Sequence, residues 1–350
     1  MAQARRVSAI IKYDNKDISA SLMPYVKSIS YRDAMSGQAD DLQITLEDRA
    51  GLWQSAWMPE LGATLDVSLV TENWQDAGML PQALRLGTFE LDEITSTGCP
   101  SEAQLKAVSV PFNNTLRGEG HTRSWEKAEL KTIANDIATA AELELFFDTD
   151  YNPTIERAEQ TEQSDLSFLL ALCEDYGLAL KISSGQLIIF DEAMYEAAEA
   201  VITIVKPGTL YTAIGNVIYL PAMLGYSFTR KLRDVYAACH VKYQQGANKA
   251  LIEATFTASG KTGKTLQVQE QVENAADAER LAKKRLREKN CDEVTGSLTL
   301  PGSFYLVAGV TVNILGFGAY DGKYIITEAQ HNIGGGYTTG INVRRCLDGY

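Results

Sequence analysis

The amino-acid sequence predicts a mainly β protein with an α+β insert, in which two related β-barrel domains flank a small helical and hairpin domain. Three observations predict it. Apolar and polar residues alternate with a period of two at both ends of the chain. In the middle the period changes to that of a helix. One glycine-led pair of strands also occurs twice, in the same order. The expected boundaries are 1–118 for the first barrel, 119–200 for the α+β domain and 201–350 for the second barrel, with a helix inserted near 274–290.

The first stretch reads as short strands. Val7 to Tyr13 and Ile18 to Leu22 flank a turn at Asp14-Asn15-Lys16. Leu42, Ile44 and Leu46 alternate with polar residues, as do Leu65, Val67 and Leu69, then Phe89 and Leu91, then Leu105 and Ala107. Such alternation buries one face and wets the other. Gly62, Gly78, Pro81, Gly87, Pro100 and Pro111 punctuate the gaps. In the middle, Leu130, Ile133, Ala134, Ile137, Ala138 and Ala141 mark one face of a helix. A second helix starts after the N-cap Ser164, with Asp165 in its first turn, and stops at Gly177. A hairpin follows, from Leu178 through the turn Ser183-Ser184-Gly185 to Phe190. Strands resume at Val201 to Val205, Val235/Ala237/Cys239/Val241, Ile252/Ala254/Phe256, Leu298/Leu300 and Val310/Val312/Ile314. Asn274 caps the inserted helix, whose apolar stripe is Ala275, Ala278, Leu281, Ala282 and Leu286.

The repeat pairs Gly62-Ala63-Thr64-Leu65-Asp66-Val67 with Gly309-Val310-Thr311-Val312-Asn313-Ile314. It also pairs Gly87-Thr88-Phe89-Glu90-Leu91-Asp92-Glu93 with Gly322-Lys323-Tyr324-Ile325-Ile326-Thr327-Glu328. The first copy is longer between its glycines, and the surplus falls in the Thr71–Gln82 loop, where insertion is tolerated. Gly62, Gly87, Gly309 and Gly322 are the expected structural turns, opening strands where a side chain would disturb the backbone.

Composition narrows the function classes. Of 350 residues, 45 are acidic and 32 basic, for a net charge of -13, which argues against broad attraction to nucleic acid or anionic membrane. Residues 141–200 alone hold 14 Asp/Glu against 2 Lys/Arg. The 274–290 helix is the opposite, with six basic residues against three acidic. Its Lys283, Lys284, Arg285 and Arg287 form the candidate partner-facing stripe. The five cysteines show no CxxC or Cys/His spacing, so no metal site or disulfide framework is expected, and the usage suits a reducing cytoplasm. The apolar run from Val7 to Ile11 is too short for a signal-peptide core, and no stretch reaches the length of a membrane span. Ala258 to Thr265 resembles a phosphate-binding loop, but Ala258 replaces the leading glycine and Leu266-Gln267-Val268-Gln269 alternates like a strand; a hairpin loop is expected. His121, His240 and His331 show no helical metal-ligand spacing and read as structural. No catalytic residue, metal or cofactor is assigned. Two other readings stay open: a cell-wall hydrolase using paired carboxylates, and a carbohydrate-binding β-sandwich adhesin using Trp53, Trp57, Trp74 or Trp125.

Four stretches carry a family resemblance. They are Tyr31-Arg32-Asp33 with Gly37, Ala39-Asp40 and Leu42 to Asp48; Gly87 to Ile94; Gln160 to Gly177 with the hairpin ending Gln186-Leu187-Ile188-Ile189-Phe190; and Gly322 to Glu328, His331 and Tyr337-Thr338-Thr339. In these the chain resembles the phage late control protein D family, the baseplate hub of contractile phage tails and related injection systems, similar to the N-terminal part of type VI secretion spike proteins. The resemblance implies two tube-like barrels per chain and a homotrimer with pseudo-sixfold symmetry. It implies a structural, non-enzymatic adaptor that joins a six-fold tail tube protein to a three-fold central spike protein on a separate chain. It further implies tape-measure and wedge proteins as candidate partners, a channel that could pass DNA without specific contacts, and a place in the virion tail baseplate, assembled in the host cytoplasm.

Overall fold

The computed structural model describes residues 4–74, 78–110, 116, 118, 120–209, 218–220, 222–244, 251–272, 274–347 and 349–350. Pro111 and the centre of the Thr71–Gln82 loop lie outside them. The chain divides into two compact units. One holds Met1–Glu192, Leu300–Ala308 and Glu328–Ile341; the other holds Ala193–Thr299, Gly309–Thr327 and Asn342–Tyr350.

The first unit begins with β1 (Arg6–Tyr13) and β2 (Lys16–Asp17). Asp14 and Asn15 join them with φ of 45° and 65°, the two-residue loop whose twist suits a hairpin. Ile18–Leu22 is not the strand the sequence predicts; Ser19–Leu22 is a short helix, α1. Asp17 Oδ1 accepts from the Ser19 N–H at 2.9 Å, and Ser19 Oγ accepts from the Ile11 N–H at 2.8 Å. These short polar side chains capture backbone groups that a ladder needs. Ile18 and Leu22, four apart, serve a helix turn as well as they serve a strand.

Then come β3 (Val26–Ala34), β4 (Asp41–Glu47), β5 (Thr64–Glu72), β6 (Gln82–Thr97) and β7 (Glu102–Val108). They pair antiparallel in the order β1-β5-β6-β7-β4-β3. Burial alternates along β4, β5 and β7 as the sequence pattern requires. Ile11, Ile29, Tyr31, Leu42, Ile44, Leu65, Val67, Phe89, Leu91 and Leu105 share one core. Strands at both ends of the order feed it, as in a sheet that curls around its own apolar face. Each fully buried aliphatic side chain contributes about 1.5–3 kcal/mol.

The α+β part holds β8 (His121–Glu129), α2 (Leu130–Ala140), β9 (Glu144–Asp148), β10 (Thr154–Gln163), α3 (Asp165–Asp175), β11 (Ala179–Ser183) and β12 (Gln186–Phe190). The predicted stripe of α2 is its buried face. Ser164 Oγ caps α3 by accepting from the Ser167 N–H at 3.3 Å. At the other end Gly177, at φ 73°, lets its N–H reach Glu174 O (3.0 Å) and the Leu178 N–H reach Cys173 O (2.9 Å). Both carbonyls are thereby satisfied where the helix stops.

The second unit takes α4 (Glu192–Ala197) from its second residue, then β13 (Ile202–Val205), β14 (Ile218–Leu220), β15 (Gly225–Arg230), β16 (Ala238–Tyr243), β17 (Ile252–Thr257), β18 (Thr265–Val268), α5 (Ala275–Asn290), β19 (Val294–Pro301), β20 (Thr311–Leu315), β21 (Gly322–Ile333) and β22 (Tyr337–Arg345). β19, β21 and β22 each have one end among the residues of the first unit. Asn274 Oδ1 caps α5 through the Asp277 N–H at 3.0 Å. Ala278, Ala282 and Leu286 pack with Cys239 and Val241 of β16, whereas Ala275 at the start of the predicted stripe is exposed. The expected hairpin at 258–265 is a different connection. β17 and β18 lie on opposite sides of β16, antiparallel and parallel to it, so the loop passes from one side of β16 to the other.

Candidate assembly interface

The two glycine-led strand pairs fold alike. β5 and β6 set Thr64, Leu65, Asp66 and Val67 opposite Glu90, Phe89, Thr88 and Gly87. β20 and β21 set Thr311, Val312, Asn313 and Ile314 opposite Ile325, Tyr324, Lys323 and Gly322. Under the alignment read from sequence, these are the same four pairs. The entry to each is also the same. Gly62 and Gly309, at φ 85° and 82°, donate to Leu91 O and Ile326 O, both at 2.8 Å. Leu91 and Ile326 return an N–H to Ala63 O and Val310 O, both at 2.9 Å. A β-carbon is disfavoured at that backbone angle, so glycine is required for a local reason in both copies.

The likeness extends across five strands. The order β5-β6-β7-β4-β3 is matched by β20-β21-β22-β19-β15. The aromatic contacts follow: Tyr31 of β3 meets Phe89 at 5.9 Å, and Phe228 of β15 meets Tyr324, the equivalent of Phe89, at 6.1 Å. The copies part beyond the fifth strand, where β1 runs antiparallel to β5 but β13 runs parallel to β20.

The basic stripe of α5 is mostly engaged within the chain. Arg285 holds Glu270 through two bonds of 2.9 and 2.8 Å and Glu288 through a third of 2.9 Å. These bonds push its already high pKa further up. Arg287 donates to the buried Glu196 at 2.6 Å, and Lys284 lies 3.4 Å from Glu288. Lys283 is the exposed member of the four. Glu288 is on α5 itself, but Glu270 and Glu196 lie outside it, where spacing along the helix does not reveal them.

Buried polar groups in the first unit are structural in their geometry. Lys181 of β11 donates to Asp33 and lies 3.3 Å from Asp40. Asp33 also accepts from the Ala308 N–H at 2.8 Å, and Asp40 from the Ala34 N–H at 3.0 Å. Burial drives the Asp40 carboxyl up to about 6, against the pull of Lys181. Burial draws Lys181 down, but Asp33 and Asp40 outweigh it and its net shift is upward. His331 is buried, bonded at Nδ1 to the Tyr337 hydroxyl at 2.7 Å, and pushed down to about 4 by burial. His121 and Arg123 both hold the buried Asp165, a cluster that sequence spacing missed because its members are more than 40 residues apart. Among the tryptophans, Trp53 is buried, Trp74 donates to Gly302 O at 2.6 Å, and Trp125 stacks on Phe168 at 5.4 Å; Trp57 is 43% exposed. No group of three or more His, Cys, Asp or Glu among the described residues is arranged to hold a metal ion, and no described helix is long and apolar enough to cross a membrane.

Comparison with known proteins places these features. The model of the family described as "Phage tail baseplate hub (GPD)" matches residues 107–337, about two thirds of the chain. A probable baseplate hub protein of Escherichia phage P2 is 29% identical over 182 residues, covering 51% of this chain and 44% of that protein. The chain thus aligns with less than half the length of this relative. The crystal structure of a tail protein from Neisseria meningitidis MC58 superimposes with a TM-score of 0.70 at 11% identity, over 97% of this chain and 96% of that one. A component of the Escherichia coli type VI secretion system, described as structurally similar to bacteriophage T4 tail proteins, gives a TM-score of 0.57 at 12% identity, over 99% of this chain and 78% of that one. These two likenesses bear on fold.

Proposed function

The chain belongs to the phage tail baseplate hub family, and from that premise we propose that it is a structural hub of a contractile tail or tail-like particle. Three copies form a ring in which the two related sheet modules of each chain, at about 1–118 and 201–350, supply six similar positions. One side of the ring meets a six-fold tail tube protein and the other a three-fold spike. The role is mechanical, with no catalytic residue and no cofactor, and its place is the virion tail baseplate. The observation that carries this reading is the five-strand repeat with its identical hairpin register. A chain that holds one module twice meets a sixfold object with three copies, because each copy fills two of six similar sites. The acidic net charge suits a channel wall that repels passing nucleic acid.

Light scattering on the purified chain tests the reading. A particle of three times the 38.4 kDa chain mass is expected. A monomer that persists when the spike protein is added overturns it. Cleavage of peptidoglycan by the pure protein would move the chain to the hydrolase class.

A further inference from the structure

The two copies differ in one respect: what lies along an outer strand edge. In the first copy, the outer edge of β3 is occupied. Glu328–Ile333, the second half of β21, pairs antiparallel with it, setting Glu328 opposite Ala34, Gln330 opposite Arg32 and Asn332 opposite Ser30. In the second copy the equivalent strand, β15, pairs with β19 alone among the described residues. The Lys231 N–H turns toward β19 and bonds Glu293 O at 2.8 Å, so the N–H groups of Arg230 and Phe228 turn away from it. The strand that should lie there is the counterpart of Glu328–Ile333, which is Glu93–Gly98, the end of β6 and the residue that follows it. It pairs with β7 alone among the described residues, and its other edge is open. Its facing agrees with the equivalence. Ile94 packs toward the core of its sheet, and Ala329 at the matching position is buried. Its surroundings differ: Glu93, Ser96 and Thr97 are exposed, whereas Ala329 and His331 are buried.

We infer that Glu93–Gly98 of one copy of this chain adds antiparallel to the outer edge of β15 in the next copy, repeating between chains the pairing that β21 makes with β3. The repeat fixes the register. Glu93 faces Lys231, Thr95 faces Thr229 and Thr97 faces Ser227, with hydrogen-bonded pairs at Ile94–Arg230 and Ser96–Phe228. Charge agrees with it, since an exposed carboxylate meets an exposed lysine at the edge where Arg230, Lys231 and Arg233 cluster. An unpaired edge beside the exposed Leu224, Tyr226 and Leu232 is otherwise an aggregation hazard. The contact is head-to-tail, so it propagates from copy to copy until the ring closes. It rests on the trimeric reading above and names the surfaces that build it.

Paired cysteines test it in the full chain, with the exposed Cys99 changed to Ser. Thr95 and Thr229 form a non-hydrogen-bonded pair in the inferred register, where α-carbons stand about 4.5 Å apart, within disulfide reach. The variant T95C/T229C, once oxidised, is expected to run as a covalent trimer on denaturing gels, and each single variant as a monomer. The pair S96C/T229C, one residue out of step, is expected to give less than a tenth of that product, because a one-residue shift turns the side chains to opposite faces. A trimer by light scattering that fails to cross-link at Thr95–Thr229, or cross-links equally well from Ser96, overturns the inferred edge and leaves the trimer standing. A monomer removes the trimeric reading itself. As a second variant, R230P deletes an outward N–H while sparing the β19 ladder. A shift from trimer to monomer of at least tenfold in dissociation constant, with the monomer's circular dichroism unchanged, supports the pairing; a trimer of undiminished stability counts against it.

Discussion

Lys181 is the residue on which the polar interior of the first unit turns. It reaches two buried carboxylates, Asp33 and Asp40, from a hairpin far along the chain. Removing it, as in Lys181→Met, leaves both carboxylates buried without their cation, and breaking a buried pair in that way costs about 3–5 kcal/mol. Urea denaturation at pH 7 should show a loss of that order. Asp40 behaves in the opposite sense. Its folded pKa of about 6 lies above the ordinary 3.8. Its contribution to stability is therefore full below pH 3.8 and is lost as pH rises through 6. Asp40→Asn keeps an oxygen for the Ala34 N–H and has no charge to desolvate. The variant should be more stable than the parent at pH 8, by roughly 2–3 kcal/mol, and should gain nothing at pH 4. Buried His331, held near 4, works the other way: its contribution is present above 6.5 and lost as pH falls through 4. The two trends oppose each other in the parent, so the difference between variant and parent is the quantity that isolates Asp40. A gain that is constant from pH 4 to pH 8 would sink the argument.

Among the elements, the paired hairpins make equal demands. Gly62 and Gly309 hold the same positive φ and the same two bonds. Gly62→Ala and Gly309→Ala should therefore cost similar amounts, about 1 kcal/mol or more each, by thermal denaturation. Unequal costs would mean that the copies share a pattern but not an energetic role. On α5 the contrast lies within one helix. Arg287→Ala takes a cation from buried Glu196 and should cost about 1–2 kcal/mol, whereas exposed Lys283→Ala should change stability by less than about 0.5 kcal/mol. The same elements show what the sequence reveals and what it hides. Alternation of Leu42, Ile44 and Leu46 locates β4, and the spacing of Leu130, Ile133 and Ile137 locates α2, because burial on one face is a local demand written at the period of the element. The Ser19–Leu22 helix escapes it, since its apolar pattern suits helix and strand alike and two hydrogen bonds accepted by Asp17 and Ser19 decide the segment. The ion pairs of Arg285 and Arg287 escape it for another reason. Glu270 and Glu196 come to α5 through the fold, and a charged stripe reads the same whether solvent, a partner or the chain itself neutralises it. The repeat was legible because its glycines are required by backbone geometry; the strand edge it leaves open is a property of pairing and appears only in the sheet order.

For the assembled molecule, the inferred edge makes a prediction that separates charge from shape. In the inferred register Glu93 faces Lys231 of the next copy. Within its own chain Glu93 meets Lys106 at 2.8 Å on the surface, an exposed pair that contributes little to stability. Lys231→Glu should therefore leave the isolated chain as stable as before while setting two carboxylates face to face at each of three contacts. Like charges directly opposite on paired strands are unfavourable by a few tenths to about 1 kcal/mol, and in a closed ring that penalty recurs at every joint. The trimer of the variant should dissociate at concentrations where the parent holds, most visibly at low salt, where screening is weakest. Adding Glu93→Lys to the same chain restores an attractive pair at every joint and should restore the ring, although it sacrifices the pair with Lys106. Sedimentation velocity across a dilution series, at low and at high salt, reads both variants. Rescue by the double exchange requires that the two side chains meet. If Glu93→Lys and Lys231→Glu instead weaken the ring independently, with no rescue in combination, the copies join along some other surface.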